Sequence, residues 1–199
     1  MEDDLKDQGA AGSATPADGH ASPPESVDGE GKGKKFSFTG VPPAWKRPKI
    51  TCDEMYQLAR TFGRKAFMND QIVSKLRGTG MIMRMEYFDP ENWGEEEPQI
   101  TIDITKDPVE LHTGPCDTAP VLTLRMHAHI AHMFWMRKLN LMTAFLRGQM
   151  TARGPMSMTL RLLPMIKPSF PLYRESLAEL GFDQLLNYPD KDTPDAETV

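Results

Sequence analysis

Three histidines, His127, His129 and His132, stand in an HxHxxH pattern that invites a metal reading. A zinc site needs its ligands to converge on one point. On a helix, residues two apart point in different directions, and only His129 and His132, at i,i+3, share a face. The spacing does not suit a preformed three-ligand site, and it reads instead as solvated or capping histidines. His112, Asp103 and Glu110 are acid–base candidates on predicted strands. Each falls at the polar phase of its strand, which makes it a solvent-facing alternation partner first. No nucleophile, base and orienting group can be assembled from spacing. The sequence also contains no HExxH, no CxxC and no glycine-rich phosphate loop. Cys52 and Cys116 lie 64 positions apart in different predicted elements, which suits structural free thiols better than a disulfide framework. The expectation is no catalytic set, no metal and no cofactor, with a small enzyme kept as a third alternative.

The elements that would carry these side chains follow from periodicity. Thr51 and Glu54 form a capping-box pair. Behind them Met55, Leu58, Ala59, Phe62 and Ala66, then Val73 and Leu76, fall at helical spacing, which predicts one long amphipathic helix ending near Gly78. Ahead of it, prolines hold Val41 to Lys49 extended, with Trp45 as the expected pin onto the domain. Met81, Met83, Met85 and Tyr87 alternate with Ile82, Arg84 and Glu86, and Ile100, Ile102 and Ile104 with Thr101, Asp103 and Thr105, so each run reads as a strand with one buried face. The acidic stretch from Asp89 to Pro98 between them reads as an exposed hairpin loop carrying an exposed Trp93. Short strands at Val109–Leu111 and Val121–Leu124 follow, and the sheet has antiparallel character because no connection is long enough for a crossover helix. His127 to Leu139 reads as a helix.

Charge is unevenly spread. The first 35 residues hold 4 Lys/Arg and 8 Asp/Glu, the last 18 hold 1 and 5, and the rest hold 18 and 15. A nearly neutral middle lacks the basic clustering of a nucleic-acid surface. Residues 1–40 are rich in Gly, Ser, Pro and acids, a composition too poor in apolar surface to offset chain entropy, and read as a disordered tail. Residues 182–199 read as a second, acidic tail that frays. With no apolar stretch near the roughly 20 residues of a membrane span, and acids where a signal peptide needs a basic start, the expectation is a soluble, cytoplasmic protein.

The segment from Leu139 to Met165 packs a helix end, a glycine-bracketed strand and a methionine-rich amphipathic run into a short length. Eight of the 14 methionines fall between Met126 and Met165. Methionine suits a wall that adapts to varied apolar shapes, although it fills ordinary cores as well. Met156 to Leu163 fits either a strand or a helix by spacing alone.

The order of these elements, with DPVELHTG at Asp107–Gly114, VLTLRM at Val121–Met126, LNLMTAFLRGQMTARG at Leu139–Gly154 and MSMTLRLLPMI at Met156–Ile166, resembles the sterol-carrier-protein type-two family of lipid-binding domains. The resemblance spans about Asp53 to Gly181 and is carried by apolar pattern more than by polar residues. It implies an α+β fold over residues 41–181, a five-stranded, mainly antiparallel sheet covered by helices, with an apolar tunnel for fatty-acyl, sterol or similar ligands. It also decides Met156 to Leu163 for helix. Periodicity and resemblance together name Met133, Phe134, Phe145, Met150, Met158, Leu162 and Met165 as tunnel-lining residues, and a short helix from Tyr173 to Leu180 as a lid. The function implied is non-catalytic binding or transfer of a lipid-like molecule. The alternative is an accessory subunit of an enzyme complex handling a hydrophobic substrate, its partner contacting the acidic loop around Trp93. No nucleic acid and no integral membrane association are expected. Gly154–Pro155, where the family carries a polar residue, departs from its pattern at the tunnel mouth.

Overall fold

Thr51 starts the first helix as its spacing predicts. In the computed structural model, which describes residues 40–189, the Glu54 N–H donates to Thr51 Oγ1 at 3.2 Å and the Thr51 N–H donates to Glu54 Oε2 at 2.7 Å. The expected N-terminal tail and the C-terminal residues from 190 onward lie outside the described residues. Helix α1 spans Cys52–Phe67 and buries Leu58, Ala59 and Ala66. The long helix expected to Gly78 is two helices. Asn69 adopts an extended backbone, and its side chain accepts from the Gln71 and Ile72 N–H groups, opening α2 (Asp70–Arg77). Asparagine is a strong N-cap because its carbonyl satisfies helix N–H groups left without partners. The break also resets the buried face, so Ile72 and Leu76 point inward and Val73 is only half-buried.

Five strands follow: β1 (Ile82–Phe88), β2 (Gln99–Asp103), β3 (Glu110–Thr113), β4 (Leu122–His127) and β5 (Met150–Arg153), in the sheet order β3-β2-β1-β4-β5. Three of the pairings are antiparallel, and β1 runs parallel to β4, with Met85 opposite Leu124 and Tyr87 opposite Met126. The sheet is thus mostly antiparallel, with a parallel pair at its centre that the antiparallel expectation missed. No crossover helix is needed, because β2 and β3 intervene and the 114–121 segment returns the chain to the free edge of β1. That segment crosses the polar face of the sheet, where Arg84 Nη2 donates to Cys116 O at 2.9 Å and to Thr118 O at 2.7 Å. Thr101 is fully buried on that face.

The opposite face carries the alternating apolar side chains and receives the helices. After β4 come α4 (Ala128–Trp135) and α5 (Leu141–Leu146), then β5, α6 (Met156–Ile166), α7 (Phe170–Glu179) and α8 (Asp183–Leu186). Gly154 has φ +122°, and a Cβ there would strike the Val121 carbonyl oxygen, so only glycine lets the end of β5 lie against the start of β4. One large apolar cluster joins the sheet to α1, α2, α4, α5 and α6, and a second joins Leu58, Met136, Tyr173, Leu177 and Leu185. Leu185 is buried, so residues 183–186 of the segment expected to fray are a packed helix in this fold.

Two tryptophans sit opposite to expectation. Trp45 is 78% exposed in a short 3-10 turn and pins nothing, whereas Arg47, two residues on, is buried. Trp93 is 8% exposed at the end of a one-turn helix, α3 (Pro90–Trp93), with its indole N–H donating to Ile50 O at 2.6 Å. The acidic loop therefore folds its aromatic residue and Asp89 inward and presents the carboxylates of Glu91, Glu95, Glu96 and Glu97.

Candidate ligand-binding cavity

Between the apolar face of the sheet and the helices lies a cavity of about 150 Å³. Its wall is built by period: Met55 and Phe62 from α1, Met83 and Met85 from β1, Ile102 from β2 and Met126 from β4. A water-sized guest needs about 10–15 Å³ on this scale, so the space is larger than a packing defect. It is smaller than the roughly 300–1,000 Å³ of ordinary ligand pockets. A long guest therefore requires wall side chains to move. The four methionines named above are well suited to that, being unbranched and free about three side-chain bonds.

Of the residues expected to line a tunnel, Phe134 and Leu162 lie on the wall. Met133, Phe145, Met150, Met158 and Met165 are not part of it. Met150 is buried at the β4–β5 pairing opposite Met126, and Phe145, Met158 and Met165 pack against the core as half-buried side chains. Met133 is half-buried on α4. The residues missed, on α1, β1 and β2, were all visible as buried faces of amphipathic elements. Nothing in the sequence marked those faces as facing a space.

Among the polar members of the wall, His129 and His132 belong to the HxHxxH pattern, whereas Arg47 and Asp89 carried no sequence signal as a site. Arg47, 6% exposed, donates through Nη1 to Asp89 Oδ2 at 2.8 Å and through Nη2 to Glu91. Asn92 Nδ2 also donates to Asp89 Oδ2, at 2.9 Å. Glu91 is half-exposed, so this network runs from the cavity wall to solvent. His127 lies behind it, its Nε2 3.3 Å from Arg47 Nη1.

The three histidines are buried, and so are not the solvated side chains expected. His127 does cap α4: its Nδ1 accepts the His129 N–H at 3.1 Å, which leaves the ring proton on Nε2. His132 Nε2 faces the Tyr188 carbonyl at 2.8 Å and must donate to it, so Nδ1 accepts from the Tyr173 hydroxyl at 2.9 Å. Burial pushes His127 down, assisted by Arg47 and opposed by Asp89. It also pulls His129 down to about 3, with His132 and Arg47 adding to the effect, and His132 down to about 4. All three are neutral near pH 7. Among the described residues no group of three His, Cys, Asp or Glu is placed to hold a metal ion.

The acid–base candidates do not meet. Glu110 is exposed and His112 half-buried, the two 3.5 Å apart on β3. Asp103 is buried rather than solvent-facing, and the Thr105 hydroxyl and N–H that it accepts from hold it below the usual carboxylate range. Both cysteines are free and half-buried. Burial, with Glu96 adding to it, pushes the Cys52 thiol up to about 12.

No family model and no curated protein matches this sequence. Solved structures do match. A crystal structure of sterol carrier protein 2 superposes with a TM-score of 0.50 at 11% identity, covering 59% of this chain and 94% of that one. The fold is that of sterol carrier protein 2. The apo form of sterol carrier protein 2 from Yarrowia lipolytica (TM-score 0.47, 11% identity) covers 58% of this chain and 89% of that one. Sterol carrier protein domain 2 of Helicoverpa armigera (TM-score 0.47, 15% identity) covers 60% of this chain and 89% of that one. At such identities the likeness is one of fold alone. Within the sterol-carrier-protein-2 fold, this chain places its cavity between sheet and helices. Among the described residues no helix is long and apolar enough to cross a membrane.

Proposed function

We propose that the protein binds, and passes on without chemical change, a lipid-like hydrophobic molecule held between the sheet and its helices. The observation that carries this reading is the cavity itself, a space walled mainly by apolar side chains between the sheet and the helices of a sterol-carrier-protein-2 fold. Removing an apolar guest's surface from water contributes about 25 cal/mol per Å². A methionine-rich wall can follow the guest's shape. The accessory-subunit reading drew on an exposed Trp93, and burial of that indole against Ile50 removes its motive.

Native mass spectrometry of the gently purified full chain, followed by denaturing extraction, tests the proposal. A co-purified apolar molecule, or retention of added palmitate or cholesterol by delipidated protein, is the expected result. Protein that arrives empty and gains neither would refute it.

A further inference from the structure

The C-terminal end of α4 and the start of α7 border a second space, an open groove of about 410 Å³. Arg137, Lys167 and Arg174 line it, all three exposed, together with the half-buried rings of Trp135 and Phe170. No carboxylate lines it, and Glu175, the acid next to Arg174 in the chain, is not on its wall. The sequence leads to the same place: residues 118–174 hold eight Lys/Arg and no Asp or Glu, so the charge of the nearly neutral middle is segregated.

Arg137 also stands where arginine is disfavoured. Its N–H donates to Phe134 O at 2.9 Å and the Lys138 N–H donates to Met133 O at 2.8 Å, a helix-ending pattern that needs a left-handed residue. Arg137 supplies it with φ +64°, the one positive φ outside glycine among the described residues. Glycine usually fills this position, because a Cβ crowds the backbone there. Strain of this kind clusters at ligand clamps. Trp135 links the two spaces, lining both the groove and the inner cavity. The groove falls in the range of ordinary ligand pockets, roughly 300–1,000 Å³, which the inner cavity alone does not reach.

Resting on the carrier reading, we infer that the ligand is a single-chain amphiphile with a phosphate monoester head, the head held by Arg137, Lys167 and Arg174 and the chain running past Trp135 to the cavity. A phosphate monoester carries a charge of about −1.5 to −2 near pH 7 and offers three acceptor oxygens, a match for three cations on one groove. Hydrogen bonds between ionised partners are the strong ones. A carboxylate brings one charge and two oxygens, and an alcohol brings no charge at all.

Delipidated full-length protein offered an equimolar mixture of hexadecyl phosphate, palmitate and cetyl alcohol at neutral pH, and read by native mass spectrometry, decides the matter. The wild type is expected to retain the phosphate about tenfold more strongly than either of the others, a factor of ten being about 1.4 kcal/mol. In Arg137→Gly, which relieves the backbone, that preference should fall about tenfold while the urea midpoint is kept. Lys167→Gln should lower the preference by a similar factor, and it decides alone if Arg137→Gly is destabilised. A preference that survives both substitutions overturns the inference. Inorganic phosphate in a parallel arm tells an ion site from an amphiphile site: retention equal to that of hexadecyl phosphate overturns the inference, and weaker retention supports it. Equal or stronger retention of palmitate or cetyl alcohol also overturns it and leaves the carrier reading standing. Retention of none of the three, nor of cholesterol, overturns the carrier reading as well.

Discussion

At the scale of single residues, the histidines change most between sequence and structure. Their spacing offered solvated or capping side chains, and one of the three, His127, is a cap. Burial was not legible, because the residues that cover them, Tyr173 and Tyr188, lie 41 and 56 positions from His132. Two consequences follow from that burial. Tyr173→Phe removes the only hydroxyl donating to His132 Nδ1, and the loss expected in urea unfolding is about 1–3 kcal/mol. His129 and His132 sit at about 3 and about 4 in the folded protein against an ordinary 6.5, so the unfolded chain binds more protons in between. Stability should be full above about pH 6.5 and fall as the pH drops toward 4, each histidine adding a slope approaching 1.4 kcal/mol per pH unit. Urea midpoints measured across that window check the sign, and a flat profile would contradict the burial. Trp45 and Trp93 show the same limit of sequence reading. Composition placed one as a pin and the other as exposed, and long-range packing reversed both.

At the scale of elements, most of the architecture was written in short-range pattern. The capping box at Thr51, the alternation in β1 and β2 and the glycine-bracketed β5 each formed where local chemistry placed them. The failures came where the local signal was continuous across a change. Apolar periodicity ran on through Asn69, so its capping role was hidden. Pairing of β1 with β4 left no mark in either strand. Met156 to Leu163 needed more than its own spacing, since alternating and helical positions both held apolar residues. Gly154 is the sharpest element-level requirement, and Gly154→Ala should lose about 1–3 kcal/mol from backbone conformation, with the contact on Val121 O adding to it. A chemical denaturation curve measures this, and an unchanged midpoint would mean that the β4–β5 junction relaxes freely.

At the scale of the whole molecule, the fold class was legible and the cavity wall largely was not. Periodicity says which side of a strand or helix is apolar; whether that side meets a neighbour or a space depends on how far apart the layers stand. Attention to methionine density led to β5 and α6, while the methionines on the wall come from α1, β1 and β4. Filling the space tests the assignment. Leu162→Trp, directed into the cavity from α6, should abolish retention of hexadecyl phosphate in native mass spectra while leaving the far-ultraviolet circular dichroism unchanged. In the wild type, a ligand present at about a hundred times its Kd should add about 2.7 kcal/mol to stability. The wall is also assembled from nearly the whole described chain, beginning at Arg47 and ending at Tyr188. A polypeptide emerging from the ribosome carries the sheet's greasy face long before α7 and α8 exist to roof it. Competence to hold a ligand is thus the last property the chain acquires, and in stopped-flow refolding the capture of a fluorescent alkyl phosphate should trail the recovery of helical signal.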